Sequence, residues 1–363
     1  MAYIVFILIT CWLAPAPATT HTPVLHSPLS CNSASNPIEP LGGYELQFPS
    51  MGTMLTFQAF SDDQEKVQQA FAAAQQEVER LVGMMSDYDP DSELSKINQI
   101  AGTGQWSQVS PELWEVLDAS DRWHQQTEGA FDASLGSLTR MWRKARRQNK
   151  IPTPAAIDMA LKSSGWKHVQ LDRTGNRIRL ERTDMHLDLG AIAKGYIVDR
   201  AFRILQEKGL SSCMVNAGGN LRCGSPPPDR PGWRIEISSL QENQPPLRRI
   251  YLADAAISTS GDLWQFMLID RTRRSHILDS RNGCGIEGPV AVTVIARSAQ
   301  DADAASTSLC VLGRIRGIEL LTRLEGYEAL FLSKVQHEKS LEETPITYSA
   351  TAGFSQGSPE SPQ

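Results

Sequence analysis

Met185-His-Leu-Asp-Leu-Gly-Ala-Ile-Ala-Lys-Gly-Tyr-Ile-Val-Asp-Arg-Ala-Phe-Arg-Ile-Leu-Gln-Glu-Lys-Gly209 sets the pattern of the chain. Met185 to Leu189 reads as an extended segment and Gly190 turns it. Ile192, Ile197, Ala201, Ile204 and Leu205 then recur at helical spacing until Gly209 stops them. Further strands are expected at Cys213 to Ala217, Trp233 to Ile237, Arg249 to Leu252 and Val290 to Ile295. Ser298, with Asp301 three positions on, opens another helix. Upstream, Ser61 with Gln64 resembles a capping box, and Val67, Ala70, Phe71, Ala74, Val78, Leu81, Val82 and Met85 follow at spacings of three and four. Helical patterns also run from Pro111 to Gln125 and from Pro154 to Ser163. A polar stretch, Gln336 to Glu343, separates two strand-like runs, and no internal repeat is present.

The 363 residues suffice for about two domains of roughly 150 residues. With 41% apolar and 21% charged residues, the composition is that of a folded soluble protein. A net charge of -6 supplies no basic footprint, which disfavours nucleic-acid binding. Ala2 to Leu13 is uncharged around Ile4 to Ile9, too short for the roughly 20 apolar residues of a spanning helix. Ala16-Pro17-Ala18 before Thr19 fits a secretory cleavage site. The expected organisation is a signal peptide over 1–18, an exposed leader over 19–43, a folded domain over 44–354 and a disordered tail over 355–363. Export to the periplasm is the expected destination. Lipidation at Cys11 is the alternative, disfavoured by Thr10 and the short apolar run. Cleavage leaves five cysteines without metal-ligand spacing, so no zinc site is expected. Small buried hydrophobes, with at most one bridge such as Cys213 to Cys223, are the expected state.

Four clusters carry residue types suited to chemistry. In Asp188-Leu-Gly-Ala-Ile-Ala-Lys194-Gly195, a carboxylate ends an extended segment and a lysine stands in the first turn of a helix. That helix start suits a phosphate, or Asp188 merely caps it. Asn216-Ala-Gly-Gly-Asn220 runs a strand into two glycines, admitting a flat ligand or simply a tight turn. Ser275-His276-Ile-Leu-Asp279-Ser-Arg-Asn-Gly283 holds a His and an Asp three apart, as a catalytic pair or a hydrogen-bonded loop. Asp303, Ser306 and Thr307 lie three and four apart on one helical face. Their oxygens suit a hard cation such as Mg²⁺, or bond back to their own helix.

In order and separation these segments closely resemble the ApbE family, the FAD:protein FMN transferases. The resemblance spans about Tyr44 to Phe354. It begins at Met51-Gly52-Thr53 and passes through Met85-Ser-Asp-Tyr88-Asp-Pro-Asp-Ser-Glu-Leu-Ser-Lys-Ile-Asn98 and Gly129-Ala-Phe-Asp132. It then takes in the four clusters, with Ala256-Ile-Ser-Thr-Ser-Gly261-Asp262 between the second and third. It implies an α+β fold of the tunnelling-fold-like type, mainly antiparallel sheet with packed helices, and FAD in a cleft between two lobes. It implies an exported, Mg²⁺-dependent enzyme that joins FMN to a Thr or Ser of an acceptor protein and releases AMP. The acceptor expected is a subunit of a membrane electron-transfer complex.

Carried over residue by residue, Met51, Tyr88, Asp132, Asp188 and Lys194 match flavin-nucleotide contacts, with the main chain at Ala130, Phe131, Ile277 and Leu278. The carbonyl of Ala191 and the side chains of Asp303 and Thr307 match the metal site, with Ser306 as a further ligand. His276 is the candidate general base, oriented by Asp279. The sequence departs from the family at Ser280 and Asn282, where Pro and Thr are usual, and at Ala133-Ser134 in place of Pro-Thr. Transfer to a protein, hydrolysis of FAD to FMN and AMP, and non-enzymatic FAD binding are the three readings of the set.

Overall fold

The computed structural model describes residues 42–239, 245–261, 266–269, 272–287, 290–334 and 346–356. The expected signal peptide, the leader up to residue 41, the polar stretch 336–343 and the tail from 357 lie outside them. In chain order the elements are β1 (Gly42–Ser50), β2 (Thr53–Ser61), α1 (Gln64–Met85), α2 (Glu93–Gln99), β3 (Ser107–Gln108), α3 (Pro111–Gln126), α4 (Gly136–Gln148), α5 (Pro154–Lys162), β4 (Val169–Asp172), β5 (Arg177–Leu180), α6 (Ala193–Glu207), β6 (Cys213–Ala217), β7 (Asn220–Cys223), β8 (Trp233–Ile237), β9 (Arg248–Leu252), β10 (Ala255–Gly261), β11 (Phe266–Ile269), β12 (Thr272–Ser275), β13 (Val290–Ala296), α7 (Ala299–Leu321), β14 (Glu328–Lys334), β15 (Ile346–Ala350) and α8 (Ala352–Gln356).

The architecture is α+β. Eight strands form one antiparallel sheet in the order β1-β2-β6-β7-β10-β13-β14-β15. Side chains alternate across a strand, so the sheet has two covered faces. On one, Phe57, Val215 and Val294 pack with Phe71 and Val78 of α1, Ile197 and Ala201 of α6, and Ala302 and Leu309 of α7. On the other, Leu221, Ile257 and Leu330 pack with Trp233 and Ile235 of β8, Ile250 of β9 and Phe354 of α8. A separate sheet, β3-β5-β4, lies beside the helices, and a third small cluster joins Leu138 and Trp142 of α4 to Leu278. Among the described residues no helix is long and apolar enough to cross a membrane.

Two sequence expectations are corrected. The cap of α1 is Asp63, which accepts the Lys66 N–H at 2.9 Å, while Ser61 ends β2 and accepts the Asp63 N–H. Met185 to Leu189 is extended but joins no sheet; its one bridge runs from His186 to Leu135, and Asn98 binds both the N–H and the carbonyl of Leu187. Cys213 and Cys223 are buried free thiols, in keeping with the expectation of small buried hydrophobes with at most one bridge, and they face opposite sides of the sheet. Burial raises both, to about 12 and about 11, so neither is a ready nucleophile.

Helices α6 and α7 meet where Gly195 passes the Ala299 carbonyl. A β-carbon built on Gly195 would stand 2.2 Å from that oxygen. Gly195→Ala is therefore expected to push the helices apart and to cost about 1–3 kcal/mol, the usual range for overpacking, read as a lower melting temperature.

Candidate active site

The contact of α6 with α7 brings together Lys194, Gly195 and Asp303. Asp303 is 2% exposed, and its carboxylate accepts the Gly195 N–H at 3.1 Å and a bond from Asn220. Lys194 Nζ stands 4.0 Å away. Burial drives the Asp303 carboxyl above its ordinary range, and Lys194, Gly195 and Asn220 oppose that rise only in part. One turn on, the Ser306 hydroxyl lies 2.7 Å from Ser260 and 3.2 Å from Ser258, and the Thr307 hydroxyl lies 3.0 Å from Ser260. Ala191 occupies the turn before α6. Among the described residues no three His, Cys, Asp or Glu side chains cluster as metal ligands. The oxygens that meet at Asp303 comprise one buried carboxylate and several hydroxyls, a donor set that fits a hard cation rather than zinc.

A cleft of about 770 Å³ opens beside Tyr88, lined also by Asp87, Asn98, Arg140, Arg143 and His186. Tyr88 is 74% exposed, and the Arg143 guanidinium lies 4.6 Å from its ring centre. Arg143 donates to Asp188 at 2.9 Å and to Asp87, and Asp188 also accepts the Thr139 hydroxyl at 2.8 Å and the Gly190 N–H at 2.9 Å. Burial works against the charge on Arg143, but Asp188 and Asp87 outweigh it and raise its pKa. Asp188 is therefore fixed by α4 and by its own turn, and is not the cap of α6.

The His276 loop is anchored at several points. Ile277 and Leu278 are buried, the Ser280 hydroxyl donates to the Gly129 carbonyl at 2.7 Å, and Trp142 Nε1 donates to the Gly283 carbonyl at 2.7 Å. Asn282 accepts the Cys284 N–H at 2.8 Å. Ser280 and Asn282, where the family has Pro and Thr, thus hold the loop by hydrogen bonds. His276 itself is exposed. Asp279 faces Arg281, whose Nη2 donates at 2.6 Å and whose charge holds the carboxyl below its ordinary range. These contacts build the loop that carries His276.

The Ala130 to Asp132 segment is bonded to the Asp188 segment, with the Asp188 N–H donating to the Ala133 carbonyl at 2.8 Å. Asp132 accepts the Ser134 N–H at 2.8 Å and the Trp166 N–H at 3.2 Å, so Ser134 takes up the turn where Pro-Thr is usual. Phe131 is buried, its carbonyl 3.0 Å from His124 Nδ1. Met51 has φ 51° in the β1–β2 turn and is half-buried. Sequence reasoning missed Asn220, Ser258, Ser260 and Arg143. The first three stood in quoted segments without a role, and Arg143 falls in a basic run that reads as a solvated face.

The ApbE family model matches residues 51–331. The FAD:protein FMN transferase of Salmonella typhimurium is 29% identical over 295 residues, covering 80% of this chain and 84% of its own. That of Vibrio cholerae serotype O1 is 33% identical over 252 residues, covering 67% and 75%. The solved flavin transferase ApbE from Vibrio cholerae superposes with a TM-score of 0.74 at 28% identity over 88% of this chain and all of that one. The ApbE protein of Thermotoga maritima gives 0.77 at the same identity and coverage. Its antiparallel sheet with packed helices matches the tunnelling fold of these neighbours, and the chain belongs to the ApbE family of FAD:protein FMN transferases.

Proposed function

We propose that this enzyme moves FMN from FAD to a Thr or Ser hydroxyl of an acceptor protein in a Mg²⁺-dependent reaction that releases AMP. The observation that carries the proposal is the corner at Asp303, where a fully buried carboxylate, a hydroxyl cluster and Lys194 converge. Asp303, Thr307, Ser306 and the Ala191 carbonyl would hold the metal. When bound, Mg²⁺ would offset the negative charge that develops on the diphosphate.

The chain's own residues do the rest. Lys194 adds a cation beside the diphosphate. Met51, Tyr88, Asp132 and Asp188, with the main chain at Ala130, Phe131, Ile277 and Leu278, seat the flavin nucleotide, Tyr88 offering an exposed ring for stacking. The acceptor oxygen bonds to the FMN-side phosphorus, the bond from that phosphorus to the bridging oxygen of AMP breaks, and His276 takes the hydroxyl proton. Asp279 shapes the loop that presents His276. An exported enzyme with the signal peptide at 1–18 would meet its acceptor in the periplasm, on a subunit of a membrane electron-transfer complex.

The test is stoichiometric. Purified enzyme with FAD, Mg²⁺ and an acceptor domain should release one AMP per FMN gained by the acceptor, and an acceptor with Thr→Val at its site should gain none. Free FMN and AMP with an unmodified acceptor would replace the transferase by a hydrolase. A second expected result concerns Arg143, which orders both Tyr88 and Asp188. A hydrogen bond to a charged group is worth about 1.5–3 kcal/mol, so Arg143→Ala should raise the KM for FAD about tenfold or more in steady-state assays.

A further inference from the structure

Beneath the corner at Asp303 lies a second layer of polar contacts that the proposed chemistry does not use. Four residues along α6 from Gly195 is Asp199; two residues along β7 from Asn220 is Arg222; one turn before Asp303 on α7 are Ala299 and Gln300. Helix and strand periods return each residue to the face of its partner above, so the same three elements meet again one step lower. There the Asp199 carboxylate accepts the Ala299 N–H through one oxygen and the Gln300 N–H through the other, both at 2.9 Å. These are unsatisfied donors of the first turn of α7, capped by a side chain from α6.

Arg222 completes the layer. Its charge acts on Asp199, its guanidinium lies 5.2 Å from the Phe202 ring centre, and its buried Nε and Nη1 have no hydrogen-bond partner among the described residues. An arginine held under such conditions needs a reason, because buried donors left unpaired cost stability. Its Coulomb attraction to Asp199 offsets part of that cost. Desolvation pushes the Asp199 carboxyl up to about 6, opposed by the two N–H bonds and Arg222 and aided by Asp301. At neutral pH the carboxylate is therefore still mainly charged.

We propose that Asp199, braced by Arg222, is a positioning residue that pins the first turn of α7 to α6 and so sets Asp303 and Thr307 against Lys194. The inference rests on the metal-assisted reading of the Asp303 corner. It concerns the junction rather than the flavin contacts proposed above, since Met51, Tyr88, Asp132 and Asp188 lie in connections outside α6, α7 and β7.

The test compares wild type with Asp199→Asn, which keeps an acceptor but loses the charge, and with Arg222→Met, which leaves Asp199 in place. Calorimetry of FAD without metal, Mg²⁺ titration of the FAD complex and AMP release are measured on each. Asp199→Asn should leave metal-free FAD affinity within about twofold, raise the Mg²⁺ midpoint at least fivefold and lower kcat at least tenfold. Arg222→Met should move both in the same direction by less. A lower melting temperature with unchanged Mg²⁺ midpoint and kcat would make Asp199 a structural cap only and overturn the proposal. The Mg²⁺ titration does not depend on turnover, so it decides the matter even if the transferase reading itself fails for want of acceptor modification.

Discussion

Asp303→Asn is expected to lower FAD cleavage by about 10³-fold or more, the scale seen when a main electrostatic element of a transition state is removed. The side chain does two things at once. It places a carboxylate at a dry position, where burial works against its charged form and a bound cation would favour it, and it links the α6 main chain to β7 through Gly195 and Asn220. Asparagine keeps one acceptor oxygen, which can serve the Gly195 N–H, but removes the charge and replaces the other oxygen by an amide donor. The lost hydrogen bond costs about 1–3 kcal/mol, offset in part by the relief of a buried carboxylate, so folding should survive with a modest change of melting temperature. Loss of the Mg²⁺ response with an intact fold is the decisive pair of results. Asp301→Ala is the contrasting variant. Asp301 bonds the Ser298 hydroxyl at 2.6 Å and Trp123 Nε1 at 3.1 Å, so its loss should cost about 1 kcal/mol of stability, as for a helix cap, with little effect on kcat. Equal loss of turnover in both variants would move the metal away from Asp303.

The helices that carry the site were legible because their apolar spacing is long and regular. Val67 through Met85, and Ile197 through Leu205, announce buried faces that any sheet would accept. Ser298 and Asp301 announced the start of α7, and the oxygen-bearing face at Asp303, Ser306 and Thr307 followed by counting. What periodicity could not supply was the company those residues keep. Ser258 and Ser260 reach Ser306 only because β10 pairs between β7 and β13, a non-local choice that no short window contains. Arg143 looked like one cation among Arg140, Lys144, Arg146 and Arg147, and only the fold brings Asp87 and Asp188 to it. Asp188 left two readings open, and the hydrogen bonds remove the one that made it a helix cap. It sits where a helix cap would sit, yet its oxygens are taken by Thr139, Arg143 and Gly190, and the next residues turn before α6 begins. The resemblance to a family filled this gap by importing contacts that had already been assembled in three dimensions.

His276→Ala should slow acceptor flavinylation by roughly 10²–10⁴-fold, the usual contribution of a general base, while FAD still binds. The argument is one of separability. His276 is exposed at the rim of its loop, whereas the loop's order comes from Ile277 and Leu278 in the core, Ser280 on Gly129, Trp142 on Gly283 and Arg281 on Asp279. Those anchors belong to other residues and remain in His276→Ala, and a melting curve beside the rate separates lost catalysis from a loosened loop. A hydroxyl is a weak nucleophile near neutrality, and on the proposed reading the Asp303 corner would offset charge on the diphosphate without accepting the acceptor's proton. Both AMP release and FMN gain by the acceptor, read by mass spectrometry, should fall together, with FAD affinity measured separately by fluorescence. If AMP release persists at the wild-type rate while acceptor labelling stops, water has replaced the protein hydroxyl, and His276 serves the acceptor alone. Should both rates stay unchanged, positioning and charge at Asp303 would carry the reaction, and the proton would leave by another route.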